Sequence, residues 1–224
     1  MAITISRLDP GEALRYMGCP PEKAGEELWG LVEECAGQVL SAAVPRWAWR
    51  VLKVTPEEGG VRLEGGLLLP GADLKGHLSS CRRAAVFCAT LGAGVDTLIR
   101  RAEQLDMSRA LALDCCASAA VEELCDRIEL ELQGKFPGCF FPYRFSPGYG
   151  DLPLEVQGEL LELLDAPRRV GLCANQSALL TPRKSVTAIL GISEEKLEPS
   201  HRSCLGCPAR EGCQYRKAGG HCGL

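Results

Sequence analysis

Cys204, Cys207, Cys213 and Cys222 form a C-x2-C-x5-C-x8-C run at the end of a 224-residue chain, and no other stretch restricts its own folding as much. The surrounding residues are rich in glycine and charge and poor in core-forming side chains. Such a segment needs a metal centre to hold a shape: a C-x2-C pair puts two thiolates on one tight turn, and two further cysteines close by complete a four-sulfur shell. An iron–sulfur cluster fits this spacing best. A structural zinc is the alternative, disfavoured by the wide second half of the run and the lack of a second C-x2-C hairpin, and a thiol-rich tail without metal is the third reading. The compositional break near Glu198-Pro199-Ser200 places the expected boundary between one domain over residues 1–200 and a Cys-rich tail over 201–224.

The preceding 200 residues carry enough apolar side chains, 46% of the chain, for a substantial core. Net charge is −4 and the basic residues are dispersed, which leaves no electrostatic footprint for nucleic acid. The start, MAITISRLDP, has no charged-then-apolar leader, and no apolar run is long enough to span a bilayer, so a cytoplasmic protein without membrane partners is expected. Thirteen cysteines in that setting are reduced thiols or metal ligands rather than disulfides.

The pattern predicts a short helix over Gly11–Met17 and a longer one over Pro21–Ala42, with Leu28, Leu31, Cys35 and Val39 on one face. Trp47–Val54 reads as a strand, the Gly59-Gly60 and Gly65-Gly66 pairs punctuate two short ones, and Ala84–Leu91 is a compact apolar strand. Helices follow over Gly94–Leu105, with Val95, Leu98, Ala102 and Leu105 on one face, and over Asp106–Leu132. In the latter, Cys115, Cys116, Ala117, Ser118, Ala119 and Ala120 imply close helix packing, and Cys115, Cys116 and Cys125 read as small buried apolar residues. The fold class is α+β. Gly92-Ala93-Gly94 follows a strand and opens a helix, but Thr97 stands where a dinucleotide site needs its third glycine, so it reads as a tight turn. There is no G-x-S-x-G or Walker A motif. His77, His201 and His221 have no triad or ligand spacing, and His77 reads as a surface or helix-end residue.

Tyr143 to Asp151, YRFSPGYGD, is the second informative stretch. Its prolines and glycines predict a rigid, solvent-facing loop. On it Arg144 offers a planar fork for a carboxylate, Ser146 and Gly148 offer backbone groups at close approach, and Tyr149 offers an aromatic face for a purine or a sulfonium. The same residues also read as a Pro-Gly turn whose arginine pairs with a local carboxylate such as Asp151.

R-x-S-P-G-Y-x-D, followed by Thr181-Pro182-Arg183-Lys184-Ser185-Val186-Thr187-Ala188-Ile189-Leu190-Gly191, resembles the activation domain of cobalamin-dependent methionine synthase. Thr90-Leu91-Gly92, Val95-Asp96 and the Ala117–Asp126 helix are similar to its stand-alone bacterial members, so the resemblance covers nearly all of residues 1–200 and none of the tail. It implies a twisted antiparallel sheet with packed helices and an S-adenosylmethionine site. There, Arg144 would meet the methionine carboxylate, Ser146 the adenine or amino end through its backbone, and Tyr149 the nucleoside side. The family's further acidic contacts have no clear counterpart in sequence; Glu122 and Ser185 are the nearby candidates.

The implied function is reactivation: corrinoid oxidised to Co(II) on a separate methionine synthase is rescued by an electron and by the methyl group of S-adenosylmethionine, with no acid or base required. The corrinoid would sit on that partner, and a cluster on the four tail cysteines, or another electron donor, would supply the electron. The competing class is an iron–sulfur electron-transfer or adaptor protein whose loop is a structural turn.

Overall fold

The computed structural model describes residues 3–197; the tail cysteines and the expected boundary near residue 200 lie outside them. Asp9 caps a first helix, α1 (Pro10–Tyr16), by accepting from the Gly11 N–H at 2.9 Å. Pro21–Lys23 forms only a 3-10 turn, and α2 (Glu26–Ala42) begins after Gly25, so the helix expected from Pro21 is interrupted before it starts. Three antiparallel strands follow: β1 (Arg46–Glu57), β2 (Gly60–Leu63) and β3 (Leu68–Pro70), with Gly59 and the Gly65-Gly66 pair in the connecting turns and Gly60 opening β2. Then come α3 (Ala72–His77), β4 (Arg83–Thr90), α4 (Ala93–Glu103) and α5 (Met107–Lys135). The last part of the described chain holds α6 (Gln157–Leu163), α7 (Ala166–Val170), the two-residue hairpin strands β5 (Cys173–Ala174) and β6 (Leu180–Thr181), and β7 (Ser185–Ile192).

The main sheet is antiparallel throughout, in the order β3-β2-β1-β4-β7. Period-two alternation sorts its side chains into two cores. Ala85, Phe87, Ala89, Ala188, Leu190 and Ile192 face the layer of α1, α2, α4 and α5. Ala84, Val86, Cys88 and Ile189 face α6, α7 and α3. With both faces covered, β4 is unbroken in its apolarity, which is why it reads so clearly in sequence.

The small side chains of α5 do allow close packing, since the Cys116 thiol donates to the Val32 carbonyl of α2 at 3.6 Å. Cys115, Cys116 and Cys125 are buried. Gly92 and Gly94 serve the strand-to-helix turn: a Cβ on Gly94 would lie 2.6 Å from the Ala42 carbonyl oxygen, and Gly92 has φ +85°. Leu105 corrects the sequence expectation. α4 ends at Glu103, Asp106 caps α5 through the Ser108 and Arg109 amides, and Leu105 in the turn between them is 87% exposed.

Candidate functional site

β7 is an edge strand, and the Tyr143–Asp151 stretch covers part of that edge. Phe145 exchanges both backbone hydrogen bonds with Ile189, at 2.9 and 2.8 Å, and Phe140 does the same with Ser193. This corrects the expectation of a wholly solvent-facing loop: Phe145 and Pro147 are buried, and exposure begins only at Gly148. Two residues before Ile189, Thr187 turns the same backbone edge outward. Extending the Phe145–Ile189 register by two residues would set Pro147 against it, and proline has no N–H to give. Strand pairing stops there and a cleft of about 290 Å³ opens.

The wall of the cleft comes from six places in the chain. The loop contributes Arg144, Ser146, Pro147 and Tyr149; β7 contributes Ser185, Val186 and Thr187; Tyr16 comes from the end of α1, Glu122 from α5, Gln157 from α6 and Leu180 from β6. Arg144, Ser146, Tyr149, Ser185 and Glu122 thus line one cleft. Gly148, at φ +88°, forms the turn that carries Tyr149 and is not itself in the wall. Its amide donates to the Leu152 carbonyl at 2.9 Å, and the Tyr149 amide donates to the Ser146 carbonyl at 3.1 Å.

Arg144 pairs with carboxylates, but not with the one expected from sequence. Its side chain is only 9% exposed, and its guanidinium donates to Asp126 at 2.6 Å and also to Glu122 and Glu129, all on α5. Asp151 is not its partner. That carboxylate accepts from the Ala72 and Asp73 amides, at 2.6 and 3.1 Å, and so caps α3. The close approach explains Gly71 and Gly150, both at positive φ, where a Cβ would lie 2.5 Å from the Asp151 carboxylate and 2.4 Å from that of Asp73, respectively. Burial opposes the charge of Arg144, but the adjoining Glu129 and Asp126 carboxylates outweigh it and hold the guanidinium firmly charged. Three carboxylates around one cation leave this end of the cleft net negative, and Glu122, with 42% of its side chain exposed, faces both the cleft and the solvent.

Supporting contacts fix the frame. His77, the last residue of α3, lies 2.7 Å from the Tyr143 carbonyl oxygen through Nε2, and its ring packs against Tyr143 and Phe145 with centroids 4.2 and 5.3 Å away. Lys184 anchors the start of β7 to α5, donating to the Asp114 carboxylate and the Ser118 hydroxyl at 2.9 Å each. Ser185 donates to the Pro182 carbonyl at 2.7 Å, with Thr90 Oγ1 at 2.8 Å, so its hydroxyl is committed to the frame. At the mouth, Tyr16 is 50% and Tyr149 60% exposed. Partial burial, then the Glu122 and Glu12 carboxylates, push the Tyr16 phenol above its ordinary pKa.

No family model and no curated protein matches the chain. Among solved structures, it is similar to the crystal structure of the MetH reactivation domain bound to AdoHcy, with a TM-score of 0.65 and 14% identity, over 85% of this chain and 75% of that one. The chain has the reactivation-domain fold. That settles the α+β architecture with its antiparallel sheet. Within this reactivation-domain fold, Tyr16, Gln157, Leu180 and Thr187 are cleft residues that sequence reasoning did not single out. Tyr16 and Leu180 carry no local signal, whereas Glu122, Asp126 and Glu129 stand at i, i+4 and i+7, a pattern that puts three carboxylates on one helix face.

Among the described residues no group of histidines, cysteines and carboxylates is arranged to hold a metal, and no helix is long and apolar enough to cross a membrane.

Proposed function

We propose that this protein binds S-adenosylmethionine at the β7-edge cleft and serves as a reactivation factor for a corrinoid-dependent methionine synthase carried on a separate chain. The observation that carries the reading is the cleft itself. It opens beside Arg144, Ser146 and Tyr149, at the low end of the size range of small-molecule sites, in a fold shared with a domain bound to AdoHcy.

The residues present fit a zwitterionic adenosyl ligand by their chemistry. Arg144, held among the carboxylates of α5, would meet the ligand carboxylate by giving up one of those partners. Glu122 would face the ammonium or sulfonium. The Thr187 edge of β7 and the Ser146 backbone would meet donors and acceptors of the adenine, and the exposed rings of Tyr16 and Tyr149 would lie against the ligand at the mouth. Bound S-adenosylmethionine supplies an electrophilic methyl group. The protein's task is to hold it toward the partner, so positioning groups suffice and no general base is needed.

Cys204, Cys207, Cys213 and Cys222, on a tail over 201–224, would hold an iron–sulfur cluster acting as a one-electron carrier for the reactivation, with a structural zinc as the alternative. Cytoplasmic location and a cobalamin-loaded partner complete the proposal.

A second reading, an iron–sulfur electron-transfer or adaptor protein without S-adenosylmethionine binding, draws support from the Arg144 cage, which is complete without a ligand. Anaerobic titration calorimetry separates the two: saturable S-adenosylmethionine binding supports the first, and its absence in folded protein supports the second.

A further inference from the structure

Gln157 is the one buried polar side chain of α6, at 6% exposure, and both ends of its amide are used. Its Oε1 accepts from the Thr187 hydroxyl at 2.8 Å, and its Nε2 donates to the Ala178 carbonyl at 2.7 Å. Thr187 belongs to the cleft floor. Ala178 sits in the turn of the β5–β6 hairpin at φ +57°, a conformation that costs a non-glycine residue free energy and needs the surroundings to impose it. The rest of the turn is held by Asn175, whose side-chain oxygen accepts from the Ser177 and Leu179 amides at 2.9 and 3.0 Å and whose carbonyl accepts from the Ala178 amide at 2.9 Å. Asn175 therefore shapes the hairpin internally, and Gln157 is the polar tie from that hairpin to the main sheet. Leu180, two residues from Ala178, forms a wall of the cleft together with Gln157 itself.

We propose that Gln157 is a positioning residue for the adenosyl end of the ligand: by tying Thr187 of the cleft floor to the Ala178 carbonyl of the hairpin, it sets how closely Leu180 approaches the bound ring. This rests on the S-adenosylmethionine reading above. The charged groups of the cleft, Glu122 and Arg144, lie on the α5 side of β7, and the hairpin closes the less charged α6 side, where a flat heterocycle fits. Loss of the tie leaves a buried hydroxyl and a buried carbonyl unpaired, and the hairpin relieves both by moving outward.

The tie can be read with and without ligand. In ligand-free protein, Gln157→Leu is expected to speed amide exchange at Ala178 and Leu179 while leaving exchange in β4 unchanged, and to weaken S-adenosylmethionine binding roughly ten-fold. Gln157→Glu adds a pH readout. Protonated, the carboxyl accepts from Thr187 and donates to Ala178, as the amide does. Ionised, it confronts the Ala178 carbonyl, so burial and that carbonyl raise its pKa and affinity recovers as pH falls through the raised value. Wild-type affinity and wild-type hairpin exchange in Gln157→Leu, or a Gln157→Glu affinity with no more pH dependence than wild type, overturn the proposal. Failure of the wild type to bind S-adenosylmethionine overturns the functional reading and the ring-setting role together, while accelerated hairpin exchange in Gln157→Leu still identifies the tie.

Discussion

Arg144 donates to Asp126 at 2.6 Å, joining the cleft loop to the middle of the long helix α5. With Glu122 and Glu129 on the same guanidinium, the loop is fixed by one cation among three anions. Arg144→Ala should then lower unfolding stability as well as ligand affinity, because three carboxylates, Glu129 at only 17% side-chain exposure, are left to repel one another. Removing one member of a largely buried ion pair costs about 3–5 kcal/mol. Arg144→Lys should recover only part, since an ammonium cannot serve three acceptors in a plane. Urea denaturation measures this, and a loss below about 1 kcal/mol in Arg144→Ala would count against the cage as a stabilising device.

The described cysteines should separate sharply in reactivity. Burial pushes the Cys81 and Cys88 thiols up to about 11 and Cys116 up to about 12, and raises Cys125 further, so none is a thiolate near neutral pH. Cys173 is exposed on β5. Alkylation followed by peptide mapping should label Cys173 first, Cys19 and Cys139 more slowly, and the buried set only on unfolding. Early labelling of Cys116 or Cys125 would contradict the packing of α5.

Glu34 on α2 accepts two hydrogen bonds from Arg109 on α5, at 2.8 and 3.0 Å, and this pairing lowers its pKa below the ordinary 4.5. A carboxyl depressed in the folded state contributes stability above its unfolded value and loses it as pH falls through the folded value. Glu34→Gln should therefore lower the melting temperature slightly at pH 7 and make no difference at a pH below the depressed value. The pair is exposed, so the effect is small. An equal difference at both pH values would remove the linkage.

If the tail carries the cluster, Cys204→Ser or Cys207→Ser should strip the metal while leaving S-adenosylmethionine affinity nearly intact, because the proposed ligand contacts, Arg144, Ser146 and Tyr149, lie among the described cleft residues. Metal analysis of anaerobically purified protein checks this. Equal metal content in a variant lacking Cys204, Cys207, Cys213 and Cys222 would exclude those ligands.

The sheet and helices were legible because their signals are local or periodic: the apolar β4, the small-residue face of α5, the glycine turn at Gly92. What sequence reading missed is long-range. The partners of Arg144 lie on a helix that precedes it, Asp151 is drawn away to cap α3, and Gln157 and Leu180 reach the cleft only through tertiary packing. The role of Pro147 depends on the loop's pairing with β7, which no spacing within YRFSPGYGD announces. The Pro21 start failed for a simpler reason, since Gly25 supplies an extended N-cap and separates the 3-10 turn from α2.

The most direct test is calorimetric titration of S-adenosylmethionine into the folded wild-type protein and into Tyr149→Ala, whose ring stands at the cleft mouth and outside the Arg144 cage. Saturable binding at one site is predicted, weakened in Tyr149→Ala by about 1–2 kcal/mol with the melting temperature preserved. Absence of binding by the folded wild type, or an affinity unmoved by Tyr149→Ala, would contradict the assignment of this cleft.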